Sequence, residues 1–156
     1  MDITPQNIKM CEMAEEIQKQ FKGFHGDYYV PVNNEFLEKY HPENIGRVAI
    51  QGCVGNPMDR RHITLIDYNT TYFCTDIEDA VWLPRQDQLQ EMIEWKSKYK
   101  LKFDFSQGMY WLRVLDRAAF MLYELSGLSM EQLWFAFVMK EKYNKQWTGE
   151  EWKETK

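Results

Sequence analysis

Residues 109–138 read MYWLRVLDRAAFMLYELSGLSMEQLWFAFV, and how this stretch divides decides the architecture. Leu112, Leu115, Ala119 and Leu122 recur at three- and four-residue spacing, with Arg113, Asp116, Arg117 and Glu124 off that line. Such a stripe predicts an amphipathic helix over residues 109–125. Gly127 stands where that helix would stop, because glycine accepts the backbone geometry of a helix C-terminus. Ser129 and Gln132 then form a capping-box pattern, with Leu128 and Leu133 placed to close a hydrophobic staple. Met130, Leu133, Trp134, Phe137 and Val138 supply the apolar stripe of a second helix, completing a C-terminal helical hairpin around Gly127.

Towards the N-terminus the pattern shortens. Leu101, Phe103 and Phe105 alternate with Lys102 and Asp104, the period of a short strand. Pro84, followed by Leu89, Met92, Ile93 and Trp95, predicts a helix over residues 85–98. The middle third is rich in β-branched and aromatic residues at 47–54, 63–67 and 71–75, with Asn69-Thr70 as a turn between the last two. Gly52, Gly55, Asn56 and Pro57 punctuate the connection before them, and a short extended piece is expected at 28–32. At the start, Thr4 is a helix cap and Pro5 a first helical residue, and Met10, Ala14, Ile17 and Phe21 line one face of a helix over 5–22. The expectation is one α+β domain spanning 1–156. Its antiparallel sheet of three to four strands is packed by about four helices, and 145–156 form a polar, Trp-containing tail.

Composition narrows the class. The chain has 156 residues, 44 % hydrophobic and 15 % aromatic, a profile foreign to disordered chains. Nineteen Lys and Arg against 24 Asp and Glu give a net charge of −5, which disfavours a generic nucleic-acid binder, whose face is normally basic. The longest stretch free of charge, residues 48–58, is far below the ~20 residues that span a bilayer. The opening Met-Asp-Ile-Thr-Pro has neither signal-peptide nor lipidation character, so a cytoplasmic protein is expected. Cys11, Cys53 and Cys74 are scattered and form no CxxC pair, so three thiols are expected rather than a zinc site or a disulfide framework.

Several residues could carry chemistry. Cys53, in Gly52-Cys53-Val54-Gly55, precedes His62 and Asp67, the residue types of an activated thiol, its base and the group that orients the base. Flanked by Ala49, Ile50 and Val54, Cys53 reads equally as a buried strand residue. His25 with Asp27, and Asp76 with Glu78 and Asp79, offer oxygen and imidazole ligands but lack a loop that makes them converge, so no metal and no cofactor is expected. Asp59, Glu94 and Lys96 loosely suggest a nuclease set, but Glu94 and Lys96 two apart on a helix point in different directions. The glycines near Cys53 lack the Lys and Ser/Thr of a phosphate loop. Arg60 and Arg61 could meet a phosphate or an acidic partner, or could guard a strand edge. Weak nucleic-acid binding would need Arg47, Arg60, Arg61 and Arg85 on one surface. Trp147 and Trp152, in a polar tail, either fold back on the body or anchor a protein partner.

Two stretches carry a resemblance. Trp82-Leu83-Pro84-Arg85-Gln86-Asp87-Gln88-Leu89 resembles a W-L-P-x-x-D-Q-L segment of small proteins encoded by bacteriophages and prophages. Residues 131–152, ending Trp147-Thr148-Gly149-Glu150-Glu151-Trp152, resemble their C-terminal W-x-G-E-x-W ending. The resemblance implies a phage or prophage origin and a bacterial cytoplasm. Those relatives are generally of unknown function, and it transfers no active-site residue. Together these readings point to an accessory protein that binds a protein partner or associates with itself, with a small hydrolase or nucleotide-handling enzyme built on Cys53, His62 and Asp67 as the alternative.

Overall fold

The computed structural model describes residues 1–20, 26–31, 49–51, 62–66, 72–76, 79–93, 100–115, 118 and 120–155. It is an α+β chain of two compact units, residues 11–84 in one and residues 1–10 with 85–156 in the other.

The first unit holds a five-stranded antiparallel sheet. Its strands are β1 (Tyr28–Pro31), β2 (Ala49–Gln51), β3 (His62–Ile66), β4 (Tyr72–Asp76) and β5 (Ala80–Leu83), in the spatial order β4-β3-β2-β1-β5. The expected pairing of the third and fourth strands holds, with Ile63 opposite Thr75 and Ile66 opposite Tyr72. The sheet is larger than expected because β1 and β5 join it, Tyr29 opposite Trp82. Tyr29, Val30, Val81, Trp82 and Leu83 are buried. Leu83, before proline, is confined to the extended backbone of a strand, and β5 stops there because Pro84 has no N–H to continue the ladder.

The N-terminal apolar line holds at Met10, Ala14 and Ile17 but not its continuity, and Phe21 lies outside the described residues. Met10, Ala14 and Ile17 are all buried, yet the helix breaks into α1 (Pro5–Glu12) and α2 (Glu15–Gln18). Ala14 leaves helical geometry at φ −100°, ψ 66°. The Gln18 side chain reaches back to the Cys11 carbonyl at 3.0 Å, satisfying an acceptor that the end of a helix leaves over.

The second unit overturns the reading of residues 109–125. Instead of a helix they lie in a three-stranded antiparallel meander of β6 (Lys100–Ser106), β7 (Met109–Leu115) and β8 (Met121–Gly127), in that spatial order. There is therefore no C-terminal helical hairpin. The reason lies at Gln107-Gly108, where φ is +53° and +76° between the paired Ser106 and Met109. Two successive left-handed residues make a type I′ turn, whose twist matches that of the strands it joins. Pairing across that turn selects period two over the helical spacing that the same leucines also fit. One face carries Leu101, Phe103 and Phe105, opposite Val114, Leu112 and Tyr110 respectively, with Leu125 beyond Leu112. A bulge between Val114 and Leu115 shifts the register at the start of β8.

That apolar face is backed by α4 (Met130–Tyr143); the shorter α3 (Gln86–Glu91) packs beside α4 and ends seven residues before the expected Lys98. Ser129 caps α4 as expected, its Oγ accepting from the Gln132 N–H at 3.1 Å. Gln132 turns its amide elsewhere. Its Oε1 accepts from the Leu128 N–H at 3.2 Å and its Nε2 donates to Asp2 Oδ2 at 2.8 Å. The staple does not close, since Leu128 is 55 % exposed while Leu133 is fully buried. Gly127 ends β8 rather than a helix, and its role is close approach. A Cβ there would come within 3.1 Å of the Leu133 nitrogen and 3.2 Å of Gln132 Cβ.

α4 is buried on more than the expected stripe, because it has cover on two sides. Trp134 meets Phe103 of the meander, with ring centroids 5.6 Å apart, and Phe135 stacks on Trp152 at 5.7 Å. The expected tail is a small hairpin of β9 (Lys145–Trp147) and β10 (Trp152–Glu154). Asn144, left-handed at φ 53°, ends the helix and clasps Thr155: its Nδ2 donates to the Thr155 carbonyl and the Thr155 N–H donates back to the Asn144 carbonyl at 2.8 Å.

Candidate functional site

The sequence candidates separate clearly. Trp152 is buried in the second unit, its Nε1 donating to the Met10 carbonyl at 2.9 Å, and it lies 5.1 Å from its cross-strand neighbour Trp147. Those rings form the inner wall of the C-terminal hairpin, so the fold-back reading describes Trp152 and the partner-anchor reading does not. Arg85, at the start of α3, grips Asp87 through Nε at 3.1 Å and a terminal nitrogen at 3.2 Å. That hydrogen bond from Arg85 is the main reason the Asp87 carboxyl sits below its ordinary range.

His62 opens β3 opposite Asp76. Cys53, Asp67, Arg47, Arg60, Arg61, His25, Asp59, Glu78, Glu94 and Lys96 lie outside the described residues. Among the described residues no three His, Cys, Asp or Glu side chains are grouped to hold a metal ion. None of the described helices is long and apolar enough to cross a membrane.

What the described structure does present is a strand edge. β6 is the outer strand of the meander, seven residues long, and every residue but Leu101 is exposed. Phe103 is 42 % exposed and Phe105 60 % exposed, although both share the face that α4 backs. The cause is placement: α4 lies over β7 and β8 and reaches β6 through Trp134. Phe105 leans on Tyr110, with ring centroids 4.7 Å apart, and the rest of its ring meets water. On the opposite face Lys102 stands across from Arg113, which is already ion-paired with Glu124, and Asp104 stands across from Trp111. Trp111 is half-buried there.

The turn fixes which backbone groups of β6 face outward. A type I′ turn bonds the Met109 N–H to the Ser106 carbonyl, so Ser106 and Met109 form a hydrogen-bonded pair. Antiparallel pairs alternate from there, which turns the N–H and C=O of Phe105, Phe103 and Leu101 away from β7. The Phe105 N–H indeed points elsewhere, donating to the carboxylate of its own neighbour Asp104 at 2.8 Å.

The N-terminus of α4 is held by a polar, buried cluster. Asp2 accepts from the Thr4 N–H and, through Oδ2, from Ser129 Oγ and Gln132 Nε2, at the N-terminus of α4. Burial alone would raise the Asp2 carboxyl, but the bonds from Ser129, Thr4 and Gln132 together hold it below its ordinary value. A carboxylate there also suits the positive end of the helix dipole.

Comparison of the chain with family models, with curated proteins and with solved structures finds no match.

Proposed function

We propose that this chain is an accessory protein of the phage or prophage type that acts by association rather than catalysis, using the β6 edge as its interaction surface. One observation carries the reading. A seven-residue edge strand presents outward backbone groups together with Phe103 and Phe105 at 42 % and 60 % exposure. Folded proteins ordinarily shorten, charge or cover such an edge; β6 carries Lys100, Lys102 and Asp104 but is neither short nor shielded from solvent, and an edge of that kind is where another chain of matching charge can add a strand. The phage or prophage assignment rests on the W-L-P-x-x-D-Q-L and W-x-G-E-x-W stretches alone.

The test uses the intact chain beside its Phe103→Ser/Phe105→Ser variant, both checked for folding by circular dichroism. The intact chain should either grow in mass with concentration by light scattering or retain a protein from bacterial lysate, and the variant should do neither. An intact chain that stays monomeric and retains no more than the variant would overturn the reading.

A further inference from the structure

We propose that the β6 edge takes β6 of a second copy of this chain, antiparallel about a two-fold axis through Phe103. The proposal rests on reading β6 as an interaction edge and adds the occupant and the register. Only Leu101, Phe103 and Phe105 turn their backbone groups outward, so a docking strand must bond to those residues. With Phe103 opposite Phe103 of the second copy, Leu101 falls opposite Phe105 and Phe105 opposite Leu101. Each of these pairs exchanges both hydrogen bonds, and the apolar residues of the two copies continue one face. On the other face Lys102 falls opposite Asp104 and Asp104 opposite Lys102. These lie in the closer, non-hydrogen-bonded positions, where cross-strand charges interact best.

The neighbouring registers lose this match. Shifting the axis to Lys102 puts lysine against lysine, and shifting it to Asp104 puts aspartate against aspartate. Within its own sheet Lys102 faces Arg113, already held by Glu124, so the second copy supplies the carboxylate that β7 does not. Asp104 meanwhile occupies the Phe105 N–H in the single chain. On pairing, that N–H turns to the Leu101 carbonyl of the second copy and the carboxylate is released to Lys102. β8, the other edge of the meander, fits this role poorly, since its register is broken by a bulge and its own symmetric pairing would oppose Glu124 to Glu124. A single strand pair makes a small contact, so the dimer belongs to the weak and reversible size class.

The charge pattern gives a test specific to register. Sedimentation equilibrium is run on the intact chain, on Lys102→Asp, on Asp104→Lys, on their equimolar mixture and on the double variant, with circular dichroism checking that each folds. The intact chain should dimerise with concentration, and each single variant, carrying like charges at positions 102 and 104, should dimerise about tenfold or more weakly. The mixture should recover association, because an acidic strand then meets a basic one. The double variant should recover it too, because its charges are exchanged but still complementary. Single variants that associate as well as the intact chain, or a mixture that gains nothing, would overturn the register and with it the proposal. An intact chain that stays monomeric yet holds a lysate protein through Phe103 and Phe105 would sink the second-copy occupant and leave the association reading standing. A monomer that holds nothing would sink both.

Discussion

At Trp82 the N–H and C=O of an edge strand are both taken up by one side chain: Gln18 Oε1 accepts from the N–H and Nε2 donates to the carbonyl, each at 3.0 Å. At β6 the corresponding outward groups of Leu101 and Phe103 meet no such amide among the described residues, and Phe105 has only the carboxylate beside it. The side chains differ in the same sense. Val81, Trp82 and Leu83 are buried, whereas Phe103 and Phe105 stand in water. One edge is met at Trp82 by a polar side chain of its own unit, and the other has no such side chain at Leu101 or Phe103 among the described residues.

The comparison can be broken first at the covered edge. Gln18→Ala removes one hydrogen bond each from the Trp82 N–H, the Trp82 C=O and the Cys11 carbonyl, which keeps the Ala14 N–H, and should lower stability by about 1–3 kcal/mol, since these groups are partly withdrawn from water. Urea denaturation measures this, and a loss below about 0.5 kcal/mol would show that Gln18 does not cover the edge.

The N-terminus of α4 is the next lever. Asp2→Asn should cost about 1 kcal/mol at neutral pH by weakening the bonds from Ser129 and Gln132. Because the folded Asp2 carboxyl is held below its ordinary value, its contribution is complete above about pH 4 and is lost as the pH falls through the lowered folded value. Stability curves of the two proteins should therefore converge in acid. A gap that stays constant to pH 2 would contradict the assignment.

The open edge itself should behave in the opposite way to the covered one. Phe105→Ser should change stability by less than about 1 kcal/mol, because the ring is 60 % exposed, while abolishing association. A large stability loss would mean the ring is part of the core. The smallest effect is a gain. Gln107→Asn places the preferred Asn-Gly in the type I′ turn and should stabilise the meander by about 0.5 kcal/mol in thermal denaturation.

The sequence reveals β2, β3 and β4 and the extended piece at β1, the cap at Ser129 and the apolar face of α4, because each depends on residues close in the chain; β5 leaves no such trace. It misleads over 109–125 because Leu112, Leu115, Ala119 and Leu122 satisfy a helical period while Tyr110, Leu112 and Val114 satisfy a strand period over the same short run. The signal that separates them is Gln107-Gly108, a turn whose first residue is an unusual choice for left-handed backbone. Trp147 and Trp152 looked like a tail because three-residue strands leave almost no periodic trace. As for the site, the alternation of Lys102 and Asp104 about Phe103 is visible in the sequence, but its meaning is not. That Leu101 to Phe105 form an edge follows only from the order β6-β7-β8, which is set by pairing across distance.

Amide hydrogen exchange read residue by residue, at low and at high protein concentration, tests the central claim most directly. Trp82 should be protected equally at both, since Gln18 belongs to the same chain. Leu101, Phe103 and Phe105 should exchange rapidly when dilute and become protected together as concentration rises. Outward amides of β6 that exchange at one rate across the whole range, with or without other proteins present, would contradict the account.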